Sequence, residues 1–189
     1  MSKANNKNIR KKIYHKASQY LLNYGLKGWN MDQLAAETGM AKNTLYKIIG
    51  YKEDMIKEIY LNKIKSIERQ VKVTVNKDEN YFEKFLELDK MFLDLIRYTE
   101  SRQAREVFLE YPQVENEIRK IKEKINNHII NFIKLGIEKN KLKNNNEADF
   151  YFDLILSLAF YYVKEKEIKN NKELFRKSLN TLIKGIAKE

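Results

Sequence analysis

The chain has 189 residues, a formal net charge of +11, one proline, six glycines and no cysteine. That length allows one or two small domains with a real hydrophobic core. The missing cysteine excludes disulfides, thiolate chemistry and cysteine metal sites.

Residues 1–8 are polar and basic, with Lys3 and Lys7, and read as disordered until DNA is present, either an inert tail or, as the competing reading, a DNA-contacting arm. The first helix is expected from Lys7 to Tyr24, with Ile9, Ile13, Ala17, Tyr20, Leu21 and Tyr24 on one apolar stripe. Gly25 ends it. Trp29, the only tryptophan, precedes the next cap and should pack back onto the first helix.

The stretch from Asn30 to Lys52 reads NMDQLAAETGMAKNTLYKIIGYK. Asn30 can cap a helix, and Gln33 sits three residues on, where its side chain can reach back to the cap amide. A short helix through Leu34, Ala35 and Ala36 to Thr38 is broken by Gly39, and a second runs from Lys42 to Ile48. Two short helices joined by a tight Gly-containing turn make a helix-turn-helix, whose second helix enters the major groove of DNA. Leu45, Ile48 and Ile49 can pack inward, leaving Lys42, Asn43, Thr44, Tyr46 and Lys47 outside. Lys supplies charge for phosphates, Asn can read a base edge, and Thr and Tyr hydroxyls can donate to phosphate oxygens. The competing reading is a pair of small core helices with a solvated polar face.

Gly50 and Tyr51 turn the chain into a fourth helix, expected over 52–71, with Met55, Ile56, Ile59, Tyr60, Ile64 and Ile67 inward. Lys52 opens it, where the helix amides and the lysine together can grip a phosphate. After a polar break at 76–80, one helix is expected over 81–98 and a short one through Ala104, Val107, Phe108 and Tyr111. Pro112 starts a long helix to Lys141, in which Gly136 allows close approach of a neighbour. Two more helices, 146–166 and 172–188, close the chain. The first of these is apolar almost all round from Leu154 to Val163, so it needs partners on two sides.

Charge is unevenly placed. Residues 1–66 hold 13 Lys and Arg against 5 Asp and Glu, whereas 67–189 hold 24 against 21. The excess therefore sits on the third that carries the helix-turn-helix, which is the footprint of a DNA-binding module. A membrane-surface helix would need a long apolar face left uncovered, and the faces here are committed to a core. The longest apolar stretch, Phe150 to Val163, is interrupted by Asp153 and too short to span a bilayer. No apolar run follows the basic N-terminal residues, so no signal peptide and a cytoplasmic location are expected.

Residues 9–60 resemble the TetR family of bacterial transcriptional regulators. The matching positions are Ala17, Asn23-Tyr24-Gly25, Asn30, Leu34-Ala35, Thr38-Gly39-Met40-Ala41, Leu45-Tyr46, Ile49 and Lys52-Glu53. Ala41 stands where that family usually has a capping Ser, Ile49 where it has Phe, and Asn30 where it has Thr. The resemblance implies a dimer built through a four-helix bundle of the last two helices. The residues expected there are Tyr151, Leu154, Leu158, Phe175, Leu179 and Leu182. It also implies a ligand pocket in the second domain. Tyr81, Phe85, Phe92, Tyr98, Phe108, Tyr111, His128, Phe132, Phe152 and Tyr162 could line one, although aromatic stripes at helical spacing also serve simply as core.

Two histidines, no HExxH, no P-loop and no GxGxxG leave no metal, nucleotide or triad signature, so no enzyme, metal or cofactor is expected. The expectation is an all-α chain of about nine helices. Residues 1–52 form a three-helix helix-turn-helix DNA-binding domain, with the boundary inside the helix 52–71, and 53–189 form a helical ligand-binding and dimerisation domain. Asn30, Lys42, Asn43, Thr44, Tyr46, Lys47 and Lys52 are the expected DNA contacts. The expected partners are a palindromic double-stranded operator, a small apolar or aromatic effector that releases a dimeric repressor, and a second copy of the chain. Alternatives are an activator, a regulator controlled by a protein partner, or a helical interaction protein with a degenerate helix-turn-helix.

Overall fold

The computed structural model describes residues 3–164 and 170–188, with side chains from residue 8 onward. Among the described residues the chain is helical throughout, with a single isolated bridge between Leu142 and Ala187 in place of any strand. The helices are α1 (Lys3–Tyr24), α2 (Met31–Glu37), α3 (Lys42–Ile49), α4 (Lys52–Val75), α5 (Tyr81–Glu87), α6 (Asp89–Glu100), α7 (Arg102–Glu110), α8 (Pro112–Glu138), α9 (Ala148–Lys164) and α10 (Asn171–Ile186). The all-α expectation holds, with ten helices for about nine. The single helix expected over 81–98 is two, because at Leu88 the backbone tightens. The Leu88 N–H bonds the Phe85 carbonyl three residues back, at 3.2 Å. The backbone is helical from Lys3, inside the stretch expected to be a tail. The expected end, at Lys166, of the helix expected over 146–166 lies outside the described residues.

Two compact units result. The first comprises residues 1–63 with 102–117; the second comprises 64–101 with 118–189. In the first, Ile13, Ala17 and Leu21 of α1, Leu34 and Ala35 of α2, Leu45 and Ile49 of α3, and Met55, Ile56 and Ile59 of α4 are buried together with Trp29. This is the apolar stripe that helical spacing sets up, with one correction: Tyr24 lies exposed at the end of α1. Ala104, Val107 and Phe108 of α7 are buried in the same unit, and the Phe108 ring meets Tyr60 at 5.9 Å. In the second unit α6, α9 and α10 pack on one another, and α10 also meets α5. Its interior is built on Phe85, Leu88, Phe92, Phe132, Tyr151, Ile155, Phe175 and Leu179.

Candidate nucleic-acid interface

Asn30 closes α2 from within its own sequence. Its Oδ1 accepts from the Asp32 and Gln33 amides at 3.0 and 2.9 Å, while its own amide donates to Gln33 Oε1 at 2.9 Å. This reciprocal box satisfies the amides a helix start leaves orphaned. At the other end Gly39 takes φ +67°, which glycine adopts without steric cost. Met40 N then reaches Ala35 O at 2.9 Å and Gly39 N reaches Ala36 O at 3.1 Å. That pair of bonds reverses the chain in two residues and delivers it to α3.

α3 has no such box. Ala41 sits in the extended conformation of a cap with no side chain to make the bond. Leu45 and Ile49 anchor the helix by burial, and Ile48 is half-buried. Asn43, Thr44 and Lys47 face solvent, and Tyr46 is half-buried beside them. Lys42 is exposed but engaged: Asp32 of α2 holds its Nζ at 2.7 and 3.0 Å, and that hydrogen bond raises the lysine above its ordinary range.

Two residues depart from the expected set. Lys52 does not face outward with the others. Its ammonium donates to the Leu26 and Trp29 carbonyls, each at 2.6 Å, and lies 4.0 Å from the Trp29 ring centre. Burial pulls it below the ordinary lysine range. It is an internal strut between α4 and the loop leading to α2. Conversely, Tyr51, a turn residue by sequence, is 73% exposed, with its ring 5.8 Å from that of Tyr46. The signal available in sequence was its place beside Gly50, in the turn that leads out of α3.

This arrangement has counterparts among solved structures. A regulator from Chloroflexus aurantiacus matches over 98% of each chain with a TM-score of 0.73 at 14% identity. One from Saccharomonospora viridis in complex with choline matches over 97% of this chain and 99% of its own, with a TM-score of 0.75 at 16% identity. FadR from Bacillus subtilis in complex with stearoyl-CoA matches over 93% and 98%, with a TM-score of 0.68 at 18% identity. The fold is that of TetR-family transcriptional regulators. No family model and no curated protein matches the chain.

Within the TetR fold, the aromatic residues expected to line a pocket divide between the units. Phe108 and Tyr111 belong to the first. In the second, Tyr81, Phe85 and Phe132 form a packed cluster, with Tyr81 stacked on Phe132 at 4.5 Å and the Phe85 ring tilted against Phe132 at 5.1 Å. The Tyr81 hydroxyl donates to the Phe132 carbonyl at 3.3 Å, and burial pushes it well above the ordinary phenol range. Its ring lies so close to Gly136 that a Cβ there would stand 2.1 Å from the hydroxyl oxygen, so Gly136 does permit close approach. Phe92 meets Phe175 at 6.5 Å, and Tyr162 meets Phe175 at 6.0 Å and shares a hydrogen bond of 2.8 Å with Ser178. Phe152 is buried, and Tyr98 and His128 are half-buried. An open hollow in this unit is lined instead by Arg69, Gln70, Val73, Thr74 and Met91.

The residues expected at a dimer face also divide. Tyr151, Phe175 and Leu179 are buried in the unit's own core and cannot form an external face. Leu158 and Leu182 are half-buried and Leu154 is 36% exposed. The outer face of α9 adds Phe150 and Tyr161, each just over half exposed, so that 150, 154, 157 and 161 form one stripe. No helix among the described residues is long and apolar enough to cross a membrane, and none of their acidic and histidine groups cluster as metal ligands.

Proposed function

We propose that this chain is a sequence-specific DNA-binding transcriptional regulator, not an enzyme. It acts as a cytoplasmic homodimeric repressor that leaves a palindromic operator when a small apolar or aromatic ligand binds the second unit. The observation that carries the reading is α3, a short helix anchored by buried Leu45 and Ile49 that turns Asn43, Thr44 and Lys47 to solvent, with Tyr46 and Tyr51 flanking them. The excess positive charge of residues 1–66 supports it, since phosphate attraction supplies much of the affinity for duplex DNA.

Asn43 and Lys47 are the candidates for base edges, and Thr44, Tyr46 and Tyr51 for phosphate oxygens. Lys42 joins them once Asp32 is displaced. One eight-residue helix reads few bases, so two copies on successive major grooves are needed for selectivity. The exposed stripe Phe150, Leu154, Ser157 and Tyr161 is the surface through which they would pair. The choline and stearoyl-CoA complexes of proteins of this fold support a small-molecule effector. Effector and operator must then weaken each other by the same factor.

Fluorescence anisotropy on DNA flanking the chain's own gene, against a scrambled duplex at physiological salt, tests the reading. A preference of about a hundredfold or more is expected, and Tyr46→Ala with Lys47→Ala together should abolish it. A wild-type protein that binds neither duplex would overturn the reading and leave a helical interaction protein.

A further inference from the structure

The short recognition helix has no side-chain cap at its start, and its last carbonyls lack partners within the helix. One of them, Ile48 O, accepts from Arg10 Nη1 at 2.9 Å, across 38 residues of sequence. The other arm of the same guanidinium, Nη2, donates to Glu58 Oε2 of α4 at 2.5 Å and to the Tyr14 hydroxyl at 3.0 Å. Tyr14 in turn donates to the same Glu58 oxygen, and its ring lies 5.2 Å from the guanidinium carbon. A single planar fork thus joins α1, the end of α3 and the second turn of α4.

We propose that Arg10, with Tyr14 and Glu58, is a positioning residue: it caps the C-terminus of α3 and fixes the recognition helix for DNA, and it does not itself contact DNA. The inference rests on the DNA-binding reading for its purpose but not for its geometry. Three features carry it. A cation at a helix C-terminus meets the negative end of the helix dipole and an unpaired carbonyl together. Two different nitrogens of one rigid fork reach the two acceptors, an arrangement that the single nitrogen of lysine does not reproduce. Glu58 also neutralises the guanidinium, which is itself exposed at 45%. The hydrogen bond that Arg10 donates to Glu58 raises the guanidinium above its ordinary range. Burial alone would lift Glu58, but the bonds from Tyr14 and Arg10 outweigh it and hold the carboxyl low.

The test compares Arg10→Lys, Arg10→Ala and Glu58→Gln in the full chain with two readouts. The first is amide hydrogen exchange in α3 relative to α1 and α4, without DNA. The second is affinity for a duplex that the wild-type protein has selected from a random-sequence pool, measured across a salt series. A capping role predicts that Arg10→Lys fails nearly as badly as Arg10→Ala. In both, exchange in α3 alone should rise, and affinity should fall, by about tenfold, with the salt slope unchanged. Glu58→Gln should shift both readouts the same way by less, and it serves if the Arg10 variants do not fold. A phosphate contact predicts the reverse: Arg10→Lys keeps affinity, Arg10→Ala lowers the salt slope by about one, and Glu58→Gln tightens binding. Either that pattern or α3 exchange unaltered in all three variants overturns the proposal. If the wild type selects no duplex, the DNA reading fails while the exchange arm still decides whether Arg10 orders α3.

Discussion

α2 and α3 are almost the same length, seven and eight residues, yet they are held in opposite ways. α2 is closed by its own sequence, with the Asn30–Gln33 box at one end and the Gly39 reversal at the other. α3 is held from outside: Asp32 of α2 grips Lys42, Arg10 of α1 grips Ile48 O, and Leu45 and Ile49 sink into the core. Helices this short do not persist alone in water, so each must borrow order from somewhere. A helix meant to present its polar side chains to a ligand cannot also turn them back on its own ends. The difference is therefore what a division of labour between a support and a reading surface would produce.

Lys52→Met should have the largest effect. It leaves the carbonyls of buried Leu26 and Trp29 without a donor, at an expected cost of about 1–3 kcal/mol. A fall in the urea midpoint at unchanged m-value would register it. The same variant sharpens the contrast between the helices, because Trp29 leads directly into the Asn30 cap. If α2 is locally specified, its amides should stay protected relative to the rest of the first unit even as global stability drops. Loss of α2 protection alone would show that α2, too, is held from outside.

Asn30→Ala comes next, at about 1 kcal/mol. It puts α2 in the condition of α3, with an alanine at the cap, and removes the acceptor for the Asp32 and Gln33 amides. Hydrogen exchange should then rise in the first turn of α2. Affinity for a duplex selected by the wild type should fall as well, since Asp32 is the residue that holds Lys42. Unchanged exchange in α2 would mean that the box is dispensable and that the two helices differ less than their caps suggest.

What could be read in advance follows the same division. The Asn30–Gln33 spacing, the Gly39 stop and the buried faces of α1 and α4 are local patterns, and they were legible because the physics that makes them acts within a few residues. The inward turn of Lys52 was not, since it depends on where the 26–29 loop lies after folding. Nor was the break at Leu88, where neither glycine nor proline marks the interruption. On α9, an apolar run all round left the periodicity silent on which face turns in. Tyr151, placed at the dimer face by the family resemblance, lies inside, its hydroxyl donating to Asn145 Oδ1 at 2.7 Å. Of the candidate interface, sequence supplied the outward set Lys42, Asn43, Thr44 and Lys47. It missed Tyr51 and the Arg10 cap, because both depend on contacts between helices.

Ala41→Ser has the smallest effect and the most direct bearing on the comparison. Ala41 already holds the extended backbone of a cap, φ −66° and ψ 140°, so a serine there needs no rearrangement. Its hydroxyl would accept from the amide of Asn43 or Thr44 and should stabilise the first unit by about 0.5 kcal/mol. That is the low end of the usual range, because Thr44 N already bonds Ala41 O at 2.9 Å. If α3 takes its order from outside, supplying a cap of its own should reduce its dependence on Arg10. The loss caused by Arg10→Lys, read from urea midpoints, should then be smaller in the Ala41→Ser background than in the wild type, with a coupling above about 0.5 kcal/mol. Simple additivity would mean that the two ends of α3 fray independently. The helix would then be held by Leu45 and Ile49 alone, and its difference from α2 would lie in packing rather than in capping.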